Sequence, residues 1–252
     1  MNQPITIVNR ELQFKKVSLI DSSTNAYFFL AAEIDRSILP VYFFQSQAKR
    51  ELLAVVKEWC SNLEKKRSII SATVFTATLI PPGKGEFLKR SASHVKVAKY
   101  DVAILIEASS LAEIKKILDS ADYQSVRNNI NKKARAIYHT IATNVKRINS
   151  VDHRNAGIFL FNYFYAANLQ QNLAVWEYTA GWFQEITGLD NSTVWLPTES
   201  NTSMYTLINH CRWDKLSAIL PALLFNKTFR TYVLANFYAN NVAAMPILYT
   251  KQ

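Results

Sequence analysis

Asn25-Ala26-Tyr27-Phe28-Phe29-Leu30 returns 130 residues later as Asn155-Ala156-Gly157-Ile158-Phe159-Leu160. Each hexamer opens an apolar, aromatic run that is too short for a helix and so predicts a strand. The second strand is expected over Ile158 to Tyr165. A helical pattern follows each one. In the first half Leu52, Val55, Val56, Trp59 and Leu63 recur at helical spacing between about Ser46 and Lys66. In the second, Leu169, Leu173, Trp176, Ala180 and Phe183 do the same, with Asn168 as the expected N-cap and Gly188 as the stop.

Two strands come next in each half. Ile69 to Ile80 and Tyr100 to Glu107 are the first pair, and Ser192 to Leu196 and Tyr205 to Arg212 the second. Tyr100 aligns with Tyr205 at an offset of 105, so the first half carries extra residues, which fit the basic stretch between Pro81 and Lys99. One more helical pattern follows in each half, through Leu111, Ile114, Ile117 and Leu118, and through Leu216, Ile219, Leu220, Leu223 and Leu224 with a continuation to Phe237. Closing strands run from Ala136 to Ile148 and from Val242 to Thr250.

The order is strand, helix, strand, strand, helix, strand, twice. It predicts an α+β chain of two tandem ferredoxin-like (βαββαβ) repeats, residues 1–150 and 151–252. Helices cover one face of each sheet. The other face is apolar too, and packing the two sheets together as an intrachain barrel buries it. Residues 1–20 lie outside the repeat, with an added strand expected around Phe14 to Ile20.

This duplicated plan resembles the dimeric α+β barrel superfamily in a tandem, single-chain form. That group includes antibiotic-biosynthesis-type monooxygenases and haem-binding chlorite dismutase-like proteins. The resemblance rests on element order and length over residues 21–252, not on a diagnostic motif. It implies a fold, a tendency to homo-oligomerise, and a small-molecule site.

Hydrophobic residues make up 49% of the 252-residue chain and charged residues 19%, which suits a packed core and excludes disorder. Five Gly and two Cys exclude collagen-like and disulfide-scaffold classes. No apolar run approaches a membrane span, and the N-terminus lacks a secretory pattern. Cys60 and Cys211 follow no metal or redox spacing and read as small buried residues in a reducing, cytoplasmic setting. The net charge of +10 lies wholly in residues 1–150, whereas residues 151–252 hold six charges of each sign. A basic half can attract nucleic acid, an anionic membrane surface or an anionic ligand, or simply solvate the protein.

Asn209-His210-Cys211-Arg212-Trp213-Asp214 is the densest polar–aromatic group. In a ferredoxin-like sheet the first and third strands are neighbours, which places Asn162 near Asn209 or His210. By alternation Ile208, His210 and Arg212 share one face, and Asn209, Cys211 and Trp213 the other. His210, Arg212 and Asn162 are the candidate catalytic set, with Asn209, Trp176 and Tyr163 as substrate contacts. Together they suit a cofactor-free oxygenase that binds an enolate or carboxylate of an aromatic or quinol-like substrate. The bland alternative makes His210 a satisfied core histidine and pairs Arg212 with Asp214 or Glu177.

Trp176 through Phe183 is aromatic nearly all round, so the helix is expected to be buried against its sheet and a neighbouring subunit, with Gly181 allowing close backbone approach. The stretch Pro81 to Lys99, with Lys84, Glu86, Lys89, Arg90 and His94, lacks phosphate-loop spacing and reads as a solvated excursion or a pocket lid. The four histidines are isolated, so no metal is expected. Haem is disfavoured because the resemblance would put its proximal histidine on a C-terminal helix, and neither predicted helix there carries one. Nucleic acid is a weaker alternative, since the RNA-recognition strand signature is absent. A non-catalytic assembly barrel is the main rival.

Overall fold

The computed structural model describes residues 5–36, 40–83, 87–88, 95–199 and 203–252. The N-terminal half contains β1 (Ala26–Glu33), α1 (Gln47–Glu64), β2 (Ile69–Leu79), β3 (Val102–Ala108), α2 (Leu111–Leu118), α3 (Ala121–Lys133) and β4 (Ala136–Asn149). The C-terminal half contains β5 (Ile158–Ala166), α4 (Leu169–Thr187), β6 (Ser192–Pro197), β7 (Leu207–Trp213), α5 (Leu216–Phe225), a π-helical turn (Phe229–Leu234), α6 (Ala235–Ala239) and β8 (Val242–Lys251).

The eight strands close into one barrel in the order β1-β3-β2-β8-β5-β7-β6-β4. Each half supplies the ferredoxin-like order, β4-β1-β3-β2 and β8-β5-β7-β6. The halves join edge to edge where β2 meets β8 and β4 meets β6. Closure removes the exposed sheet edges that would otherwise invite aggregation.

Local chemistry sets the helix ends. Ser46, Ser110 and Ser120 each accept a hydrogen bond from the backbone N–H three residues on. Asn168 caps α4 through Gln171 N–H at 3.0 Å, and Gly188 ends it at φ +67°, in the left-handed region that glycine adopts without strain.

Three layers of core follow from strand alternation. Ala26, Phe28, Leu30 and Ala32 face α1–α3. Leu160, Phe164, Leu207 and Cys211 face α4–α6. Tyr27, Phe29, Phe75, Phe159, Phe161, Tyr163, Trp195 and Tyr249 point into the barrel and fill it.

Three expectations are corrected. Phe14 to Ile20 forms no strand; Ile20 alone bridges to Arg147. The segment instead crosses α4, where a Cβ on Gly181 would lie 2.0 Å from the Lys15 carbonyl oxygen. The close approach expected at Gly181 is therefore made by the chain's own N-terminal segment, and Phe14 lies 4.6 Å from the Tyr232 ring. Finally, β3 is followed by two helices rather than one. The second, α3, is polar and buries only Tyr123, Val126 and Ile130.

One buried ion pair ties α1 to the barrel end. Lys49 Nζ lies 2.8 Å from Asp101 Oδ2, both side chains essentially excluded from solvent. Asp101 also accepts from Ile34 N–H at 2.6 Å and Asp35 N–H at 3.2 Å.

Candidate functional site

Strands β5 and β7 pair with Phe161 opposite His210 and Asn162 opposite Asn209. Successive residues point to opposite faces. The six candidates therefore divide: His210, Arg212 and Tyr163 face the barrel interior, and Asn162, Asn209 and Trp176 face the layer between sheet and helices. Asn162 is not brought to His210.

On the interior face most polar groups are committed, the exceptions among the described residues being Trp195 Nε1 and Arg212 Nε, which are buried without a partner. His210 is fully buried and lies flat on Phe161, ring centroids 4.1 Å apart at 13°. Its Nδ1 is 3.0 Å from the Leu160 carbonyl. A carbonyl only accepts, so the proton sits on Nδ1. Nε2 is then an acceptor and takes the Nε2–H of His153 at 2.8 Å. Burial holds His210 well below the ordinary imidazole range and pulls His153 down to about 4. Both rings are neutral at pH 7, with their shared nitrogens occupied.

Arg212 pairs with Asp214 at 2.8 Å, donates to the Ala156 carbonyl, and lies over the Phe159 ring. Tyr163 sits in a hydroxyl chain at the other end of the barrel. Tyr249 gives its proton to the Tyr100 carbonyl at 2.8 Å, so Tyr163 donates to Tyr249 at 3.0 Å. Likewise Tyr205 donates to the Lys96 carbonyl and Tyr100 donates to Tyr205 at 3.0 Å. Burial raises the pKa of all four phenols.

The outer face of β5 and β7 is different. Two adjoining recesses, each about 30 Å³, lie between this sheet and α4–α6, and both are lined by Leu160, Asn162, Phe183, Trp213 and Phe237. One reaches Pro81-Pro82-Gly83, Pro246 and the π-helical turn. The other reaches Trp176, Thr179, Ser192 and Asn209. The buried Asn162 Oδ1 has no hydrogen-bond partner in the structure. Its neighbour Asn209 accepts from Ser192 Oγ at 2.6 Å. Leaving a buried carbonyl unpaired costs about 1–3 kcal/mol, so a polar group of this kind calls for a donor, from water or from a ligand. The recesses hold roughly a water each. A ring system enters only as Phe183, Trp213 or the helical wall gives way, and that wall includes a π-helical turn, a feature frequent at functional sites.

The sequence reading did not find Phe183, the Phe229–Phe237 wall or Pro246 as cavity residues. Pro246 was the available signal: proline inside an apolar strand marks a place where a ladder donor is not needed. Gly83 is a second. A Cβ there would meet Ala244 O and Pro246 Cδ at 2.6 Å, so only glycine lets this segment cross β8. Lys84, Glu86, Lys89, Arg90 and His94, part of the expected basic excursion, lie outside the described residues.

No family model and no curated protein matches the chain. Solved structures do. An anthrone oxidase-like protein superposes with a TM-score of 0.57 at 9% identity, covering 92% of this chain and 94% of its own. A protein titled "putative monooxygenase" from Fusobacterium nucleatum gives 0.54 at 7%, covering 91% and 95%. Another so titled from Lactobacillus acidophilus gives 0.50 at 6%, covering 90% and 94%. At such identities the likeness establishes the fold alone, an eight-stranded α+β barrel, in line with the superfamily that the element order resembles.

Haem, which some members of that superfamily bind, is not matched by the residues present. Among the described residues lining the recesses, Cys211 is the one side chain of an axial-ligand type, and burial raises its thiol well above the ordinary range and so disfavours the thiolate that would bind iron. Recesses of about 30 Å³ also leave no room for a macrocycle. His153 and His210 lie on the opposite face of the sheet and bond each other. No described cluster of three His, Cys, Asp or Glu could hold a metal ion, and no described helix is long and apolar enough to cross a membrane.

Proposed function

We propose that the cavity between the C-terminal sheet and its helices binds an electron-rich aromatic of quinol or anthrone type, and that the chain oxidises it with O2 without a cofactor. The observation that carries this reading is the buried, unpartnered Oδ1 of Asn162 at a recess otherwise lined, on its Pro81–Gly83 side, by aromatic and aliphatic residues. One amide offers both a donor and an acceptor. It can accept from a phenolic hydroxyl or donate to an enolate oxygen, favouring the ionised substrate. Asn209 and Trp176 form the adjoining wall. His210, Arg212 and Tyr163 stiffen the barrel behind it.

No carboxylate, imidazole or amine lines the described recesses. The substrate must therefore be a carbon or phenol acid that ionises readily once its oxygen is hydrogen-bonded. For an anthrone the balance is complete. The ring CH2 gives its proton to solvent water before the enolate is enclosed, the enolate passes one electron to O2, and the resulting superoxide bonds to that carbon as a peroxide that takes a proton back from solvent. The hydroperoxide loses water to leave a carbonyl. One oxygen atom enters the quinone and the other leaves as water. The resemblance of the fold to an anthrone oxidase-like protein supports the choice of probe.

The test is anthrone turnover in an oxygen electrode with quinone absorbance recorded in parallel. Equal uptake of O2 and formation of quinone, lowered about 100-fold by Asn162→Leu, is expected for loss of one such donor. Turnover unchanged in that variant contradicts the role of Asn162. A second reading, a non-catalytic assembly barrel, draws on the filled interior. It is favoured if neither binding nor turnover is seen.

A further inference from the structure

We infer that the loop Tyr42-Phe43-Phe44-Gln45 is a membrane-surface anchor that docks the barrel end carrying the cavity rim onto an anionic lipid bilayer. Phe43 is 70% exposed and Phe44 87%, the latter the most exposed large apolar residue among those described. Scattered exposed apolar residues are ordinary. Two adjacent phenylalanines held out on a pinned loop are not.

The pins lie on both sides of the pair. Tyr42 N–H donates to the Thr78 carbonyl at 3.0 Å and its hydroxyl to the Lys99 carbonyl at 3.1 Å. Ser46 N–H donates to Asp35 Oδ2 at 2.9 Å, and Ser46 also caps α1. These bonds fix the backbone on either side of the pair, and both rings stand exposed.

Cations flank the tip. Arg50 donates to the carbonyl of Gln45, the residue after Phe44, at 2.6 Å. Lys99 is adjacent through the Tyr42 bond, and Lys96 is exposed on the same segment. The whole net charge of +10 belongs to the half that carries this loop. Aromatic rings with basic neighbours are the composition that seats a protein at the headgroup boundary. Anionic lipid complements the charge at about 1 kcal/mol per Lys or Arg.

The position relative to the cavity gives the anchor a use. Ile80 N–H donates to the Pro40 carbonyl at 2.6 Å, and the next residues, Pro81-Pro82-Gly83, line the recess. An apolar aromatic partitioned in the bilayer thus lies near the cavity rim. This use rests on the proposed function; the anchoring itself does not.

The experiment is co-sedimentation of the full chain with phosphatidylcholine vesicles containing phosphatidylglycerol, and with phosphatidylcholine alone. The Phe43→Ser/Phe44→Ser variant is run beside the wild type. The wild type is expected to bind the anionic vesicles, less at high salt, and the double variant at least about tenfold more weakly. Both positions are exposed, so unchanged thermal melting checks that the variant folds. Absence of wild-type binding overturns the proposal, as does equal binding by the variant. So does sedimentation velocity showing an oligomer that the double variant dissolves, which assigns the patch to a second copy of the chain. Because vesicle binding needs no turnover, its failure and failure of the oxygenase reading are distinguishable.

Discussion

The two faces of strands β5 and β7 carry the same kinds of residue to opposite ends. On the inner face His210, Arg212 and Tyr163 sit among stacked rings, His210 bonded to Leu160 and His153, Arg212 to Ala156 and Asp214, and Tyr163 to Tyr249 at the other end of the barrel. On the outer face, one residue along, Asn162 holds a buried carbonyl with nothing to receive. The inner face is not free of such atoms, since Arg212 Nε and Trp195 Nε1 are also buried without a partner, but there the space is filled by packed rings, whereas Asn162 opens onto a recess. The imidazole, the more reactive group, is bonded on both nitrogens, and in the proposed function it is the less reactive amide that meets the substrate.

Substitutions on the inner face should show the largest effects on stability. His210→Ala removes a ring packed against Phe161 and orphans both the Leu160 carbonyl and His153. It should destabilise by about 3–5 kcal/mol in urea unfolding. A loss under about 1 kcal/mol would place the histidine outside the packed core. Lys49→Met gives a reference for a broken buried ion pair elsewhere in the fold, since it leaves Asp101 buried without its cation. About 3–5 kcal/mol is expected, against under about 1 kcal/mol for breaking the exposed Lys133–Glu51 pair at 2.7 Å.

Acid should probe the inner face next. His153 titrates at about 4 when folded and near 6.5 when unfolded, so the unfolded chain binds more protons between those values. Stability is complete above about pH 6.5 and falls as pH drops toward 4, by about 3 kcal/mol from this one group. His210, also depressed by burial, adds to the loss in the same direction. Urea midpoints measured from pH 8 to 4.5 test this; a flat profile through pH 6.5–4.5 would contradict the neutral pair. On the outer face, Gly83→Ala should cost about 1–3 kcal/mol by pushing the Pro81–Gly83 segment off β8. It should also weaken binding of an anthrone followed by tryptophan fluorescence. An unchanged affinity would detach that segment from the cavity.

Much of this architecture was legible in the chain. The repeated hexamers, Asn168, Gly188 and the aligned Tyr100 and Tyr205 led to the element order, and the two tyrosines meet in the barrel. Helix α3 escaped because Tyr123, Val126 and Ile130 make too thin a stripe on a polar helix. Strand alternation correctly separated His210 from Asn209. It could not say which face looked inward, because both faces of these strands are buried, one by the barrel and one by helices. For the same reason Asn162 and His210 were grouped, although a single residue of register separates their faces. Phe183 and the Phe229–Phe237 wall come from helices whose approach to the sheet depends on tertiary packing. The π-helical turn has no sequence signature used here beyond the break after Phe225.

The central claim is that Asn162 is kept for a ligand at the expense of stability. Asn162→Leu, which keeps the branched heavy-atom shape and is apolar, tests it in one pair of measurements, urea unfolding and anthrone titration. The account predicts a protein as stable as the wild type or up to about 2 kcal/mol more so, and no longer able to bind the anthrone. A variant destabilised by about 2 kcal/mol or more that still binds would show that the amide serves the fold and that the site lies elsewhere.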